Sequence, residues 1–353
     1  MTDSAATIID APADANPVYL RHKAEMDRVR RTLRNAVGTE TFRRLHRESR
    51  LLDALTVIGA LGIFVTVALL LARLPLGPIW LALFILQGFV LQWFALVSHD
   101  LFVHRKAAGE FWSWIGSIVF TVPRYSLPTG YEQAHLSHHR NIGTVLDTEA
   151  YKQDLDTSGK RWLFSTVLGV KLAQASKLGA QARQHYHQVS AANPQLARRV
   201  RIERIVMRGW LLSMIPLGFL FPRVVVLGYL LPTLLVLPLA NTLRIIIEHA
   251  DINPDNPFHQ STCYRTGLLS RIVFLWDSGD CHIIHHVFPH MPWYRVGEAT
   301  DLMRPTLLAQ SVIERTSFWS LVKGWYVDNY PHRSLWPLDT APSSAATSSA
   351  TAT

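Results

Sequence analysis

The chain is poor in cysteine and, over long stretches, in charge, and each shortage removes function classes. Only Cys263 and Cys281 occur among 353 residues, so a disulfide framework is excluded and nothing points to an oxidising compartment. Iron–sulfur centres and cysteine-based structural zinc are disfavoured on the same ground. A secretory signal is not expected, because the polar and charged segment up to Arg50 precedes the first apolar run. Neither a solenoid-spaced repeat nor a Ser–His–Asp or Cys–His arrangement is evident. Charge is missing from Ala54 to Ala72 and again from Leu74 to Ser98, with only Arg73 between. Each stretch is near or above the ~20 apolar residues that cross a bilayer. The chain reads as an integral membrane protein.

A second apolar pair follows. Gly209 to Pro222 and Val224 to Leu243 are uncharged, with Arg223 between them. The earlier of these reaches a full span only if it starts near Ile205 and Arg208 snorkels to the interface. Arg31, Arg34, Arg43, Arg44, Arg47 and Arg50 precede the first run, which places the N-terminus in the cytoplasm by the positive-inside rule. The expected fold is therefore an all-α integral membrane protein with four spans in two hairpins and a cytosolic helical cap. Its expected divisions are a basic segment 1–50, a membrane domain with cap 51–335, and a disordered tail 336–353. "GEFWSWIGSIVFTVPRY" and "RWLFSTVLGVKLAQASKLGAQARQ" read as helices lying at the membrane surface. The net charge of +9 suits anionic lipid headgroups rather than nucleic acid, and is compatible with an acidic redox partner. With no retention signal evident, a bacterial inner membrane is the expected location.

Histidine is plentiful, with 16 copies. "HDLFVH" places His99 and His104 after the second apolar run. "HLSHH" holds His135, His138 and His139, and "HIIHH" holds His282, His285 and His286. On an α-helix, residues i, i+3 and i+4 lie within about 60° of one another, so each H-x-x-H-H unit aims three imidazoles at one region. The five-residue spacing of His99 and His104 puts them roughly 140° apart on a regular helix. They converge only if the helix end unwinds, or else they serve different ions. His249, at the cytoplasmic end of the fourth span, is a ninth candidate. His290 follows Pro289 outside the helical register and Cys281 stands alone, so neither is counted. Carboxylates often orient metal-bound histidines through the other ring N–H. Asp100 and Glu248 are the preferred partners for that role, and Asp147 and Glu149 weaker ones.

Imidazole-rich sites suit zinc, copper, iron or nickel, and nine histidines exceed what one ion needs, which points to a dinuclear centre. The three boxes, in this order and separated by two hairpins, resemble the membrane-bound fatty acid desaturase and hydroxylase superfamily over roughly Leu51 to Pro305. That resemblance implies two iron ions on the cytosolic side, O2 as co-substrate, a lipid or acyl substrate, and a ligand role for His249. Electrons are expected from a separate donor such as ferredoxin, rubredoxin or cytochrome b5, because no cytochrome b5-like domain is fused. Acyl-CoA desaturases of the superfamily often carry Asn four residues before the helix-four His; this chain has Ile245 there, with Asn241 further back. The expected reaction is O2-dependent oxidation of an unactivated C–H bond, first as desaturation. Hydroxylation, or ketolation of a carotenoid-like substrate, is the alternative. A metal transporter or haem carrier is the non-enzymatic rival; the first would place ligands inside the bilayer, and the second would leave the doubled H-x-x-H-H unused.

Overall fold

The computed structural model describes residues 17–142, 147–148, 158–175, 193–249, 256–259, 261–264, 267–275 and 282–327. Glu149, Cys281 and the expected tail 336–353 lie outside the described residues. The described chain is almost wholly helical, with one two-residue parallel pairing of Cys263–Tyr264 and Glu314–Arg315.

Among the described residues, three stretches are long and apolar enough to cross a membrane: Thr39–Arg73, Pro78–His104 and Pro222–His249. Helix α1 covers Pro17–Val37 and α2 Thr39–Leu45; α3, Arg50–Arg73, starts where Ser49 accepts a hydrogen bond from the Leu52 amide. Helix α4, Pro78–Val97, opens with proline, whose missing N–H costs nothing at a first turn. It runs on as a π-helical turn, Ser98–His104. Helix α5, Glu110–Thr121, and α6, Pro128–Asn141, form a return that brings the second histidine box back to the end of α4. Of the surface helix expected over 161–184, the described part is two short helices, α7 Ser158–Phe164 and α8 Val167–Ala175, and residues 176–184 lie outside the described residues. Thr166 separates them, its hydroxyl accepting from the Gly169 amide at 3.1 Å.

The third expected span, Gly209 to Pro222, is not among the three apolar stretches. Helix α9, Pro194–Leu220, is continuous, but Glu203, Arg204 and Arg208 lie inside it and leave only its last part uncharged. Glu203 is fully buried and accepts from Trp114 Nε1 at 2.7 Å and from the Thr129 amide at 3.2 Å. The helix thus spends a carboxylate on fastening the α5–α6 return. Helix α10, Pro222–His249, includes two π-helical turns before its regular end, Leu237–His249.

Packing between α4 and α10 is close. A Cβ at Gly88 would collide with the side chain of Val236. Gln87, fully buried, donates to the carbonyls of Phe64 and Gly228 at 3.1 and 2.8 Å, joining all three spans. The remaining described helices are α11, Leu268–Val273; α12, His282–Val287; α13, Trp293–Ala309; and α14, Phe318–Tyr326. Met26, Val29 and Leu33 of α1 share a core with Ile283, Ile284 and Val287 of α12 and Ala299 and Met303 of α13. The basic N-terminal segment therefore packs directly beneath the third box.

Candidate metal centre

All nine histidines singled out in the sequence come together. His99, His104, His135, His139 and His285 form one group whose ligand atoms all lie within 4.8 Å of one another. His138, His249 and His286 form a second, and Glu248, His249 and His282 a third that overlaps it. The stacked rings of His139 and His286, 4.2 Å apart, join the first group to the second. Boxes two and three are thus divided between the groups rather than each aimed at one point. His290 is exposed and outside.

The first box converges through the π-helical turn. Its i→i+5 hydrogen bonding stacks residues five apart, and the His99 and His104 rings lie 4.7 Å apart. Neither an unwound helix end nor service to two separate groups is needed.

The donor atoms fit a metal. His104, His135, His139 and His285 bring Nε2 atoms to successive separations of 2.9, 2.9 and 3.1 Å. Ligands about 2.1 Å from a common ion and at right angles stand roughly 3.0 Å apart. His99 Nε2, His139 Nδ1 and both ring nitrogens of His286 are buried without a hydrogen-bond partner, which is costly unless a metal takes the one lone pair that each neutral ring offers. Burial, reinforced by neighbouring imidazoles, pushes His139, His285 and His286 well below their ordinary pKa. The rings are therefore neutral, the form that binds metal.

Carboxylates divide differently from the sequence ranking. Asp147 hydrogen-bonds His138 Nδ1 at 2.9 Å. Glu248 accepts from Arg244 Nε at 2.6 Å and lies 3.7 Å from His282 Nδ1. Asp100, next to His99, instead accepts from Arg105 Nε and Nη2 at 3.1 and 2.9 Å and from the Trp293 amide at 3.2 Å. Arg105 also makes a two-pronged contact with Asp53 of α3, at 3.1 and 2.6 Å. Arg105 and Asp53 had no place in the sequence analysis, although an arginine directly after the first box was the available signal.

Comparison with known proteins decides the family. The family model described as fatty acid desaturase matches residues 78–318, a range that contains every histidine of the cluster. The chain belongs to the fatty acid desaturase family. It is accordingly an oxidoreductase, and its His-rich cluster is of the kind found in the di-iron members. No curated protein matches the chain. Within this desaturase-family protein, Ile245 packs into the apolar core with Phe89 and Phe274, so the position four residues before His249 offers carbon rather than an amide.

Proposed function

We propose that this desaturase-family protein uses two iron ions, held by the nine histidines, to oxidise an unactivated C–H bond of a lipid chain with O2. The observation that carries the reading is the gathering of His99, His104, His135, His139 and His285 beside His138, His249, His282 and His286. Such a pair of ions supplies electrons to O2 and the oxidising power that removes hydrogen from a methylene. The product we favour is an alkene. One CH2–CH2 unit, one O2, two external electrons and two protons then give CH=CH and two waters.

The chain's own residues hold the rings and keep the site dry. Asp147 accepts from His138 Nδ1 and so fixes which nitrogen faces the ion. Glu248, held by Arg244, places a carboxylate 3.7 Å from His282 Nδ1 and favours the proton on that nitrogen through its charge. Burial of the boxes excludes water that would intercept a reactive intermediate. We further propose that α9 completes a fourth span with Arg208 snorkelling. In that arrangement the basic N-terminus and the histidine cluster share the cytoplasmic face of a bacterial inner membrane. The hydrogen bond from Arg30 Nε to the Val287 carbonyl, 3.1 Å, supports their lying on one side. A separate ferredoxin, rubredoxin or cytochrome b5 would deliver electrons there.

Mass spectrometry of total lipids from cells expressing the wild type beside His285→Ala tests the reaction. A chain lighter by two hydrogens in the wild type alone is the expected result. A chain heavier by one oxygen would make the enzyme a hydroxylase and overturn the alkene assignment.

A further inference from the structure

A second polar cluster sits beside the metal centre and contains none of its ligands. Gln92 is fully buried in α4, seven residues before His99. Two helical turns place both side chains on one face, about 10 Å apart along the axis. Arg124, in the turn after α5, donates from Nη2 to Gln92 Oε1 at 3.0 Å. This leaves Arg124 Nε and Gln92 Nε2 buried with no hydrogen-bond partner, and both are N–H donors.

The charge there is uncompensated. Among the described residues no carboxylate pairs with Arg124; the groups that act on it electrostatically are Tyr131 and a second cation, Arg244. Burial above all lowers Arg124 to about 10, so it remains a cation at neutral pH. Arg244 is engaged with Glu248. Tyr131 stacks on His135 with ring centroids 5.5 Å apart, so one tyrosine ring separates the neighbourhood of Arg124 from a histidine of the cluster. A part-buried guanidinium whose Nε is enclosed and idle is costly unless an acceptor meets it.

We propose that Arg124 and Gln92 form a subsite for an oxyanion, a carboxylate or a phosphate, carried by the lipid substrate and anchoring its chain beside the metal centre. The proposal rests on the lipid-oxidation reading above. Two idle donors require an acceptor, and the unmatched positive charge requires that the acceptor be negative. The oxidised carbon then lies toward the polar end of the chain rather than at its methyl terminus.

Equilibrium binding to the purified full chain in neutral detergent tests this without turnover, using radiolabelled palmitate, methyl palmitate and phosphatidate. Charge-assisted hydrogen bonds predict that one anion binds at least about tenfold more tightly than the methyl ester. Palmitate in that role identifies a free acid, and phosphatidate a phospholipid head. Gln92→Glu gives Arg124 an internal carboxylate and Arg124→Met removes the cation. Both variants should lose the anion preference, with a wild-type thermal unfolding midpoint reporting an intact fold. Equal binding of all three lipids by the wild type, or an unchanged preference in Gln92→Glu, would overturn the subsite. Either result leaves the oxidation reading to the lipid mass spectra.

Discussion

The first histidine box and the two later ones reach one cluster by different backbones. His135, His138 and His139 in α6, and His282, His285 and His286 in α12, use ordinary α-helical spacing. His99 and His104 need a π-helical turn, a form that rarely persists unless its surroundings hold it. Here the surroundings are specific. The Arg105 guanidinium, completely enclosed, ties Asp100 of the turn to Asp53 of α3, while the other Asp100 oxygen receives the Trp293 amide from beyond the third box. Glu203 fastens the start of α6 ahead of box two, but the carboxylates nearest the histidines of boxes two and three, Asp147 and Glu248, face the rings themselves. Where local geometry suffices, the acids orient ligands. Where it does not, they hold the backbone.

The largest expected effect comes from shifting an α-helical box. Inserting one alanine between Leu136 and Ser137 turns His135 by about 100° relative to His138 and His139. Turnover and bound iron should both be lost while membrane insertion persists; retained iron would show that the helical register of box two is dispensable. Next comes the clamp of box one. Arg105→Leu leaves Asp53 and Asp100 buried and unpaired, a change that costs roughly 3–5 kcal/mol. A thermal unfolding midpoint close to wild type in this variant would remove the clamp from the account.

Much of this was legible beforehand. The boxes stood out because H-x-x-H-H repeats the helical period, and His249 because it ends an uncharged run. The convergence of His99 with His104 was not, since five residues on a regular helix diverge and a change of hydrogen-bonding pattern leaves no compositional mark. The third span was only partly legible: the run after Gly209 is uncharged, but it continues a helix that carries Glu203, whose burial against Trp114 and Thr129 belongs to tertiary structure. Gln87 and Gln92, polar residues inside an apolar span, carried a signal that intramembrane polar groups usually carry, and went unused.

A smaller effect separates the two sides by pH. His22 of α1 is buried and its pKa is lowered to about 4, chiefly by burial, with Asp147 opposing and Arg30 adding. Between pH 6.5 and about 4 the unfolded chain takes up a proton that the folded His22 refuses. The stability contributed by neutral His22 is therefore intact above pH 6.5 and is lost as pH falls toward 4, by up to about 3 kcal/mol. Unfolding midpoints across this range should fall less steeply in His22→Leu than in wild type. Parallel curves would mean that His22 is readily protonated in the folded chain.

The finest comparison is between two aspartates. Asp147→Asn keeps an oxygen for His138 Nδ1 but removes its charge, so metal affinity measured by chelator competition should fall about 10–100-fold. Asp100→Asn touches no ring contact that the structure shows. It should lower the unfolding midpoint, because Arg105 loses a charged partner, while metal affinity stays near wild type. Equal losses of affinity in both variants would mean that strain in the π turn reaches His99 and His104. The acid that holds the backbone would then tune the metal as directly as the acid that holds a ring.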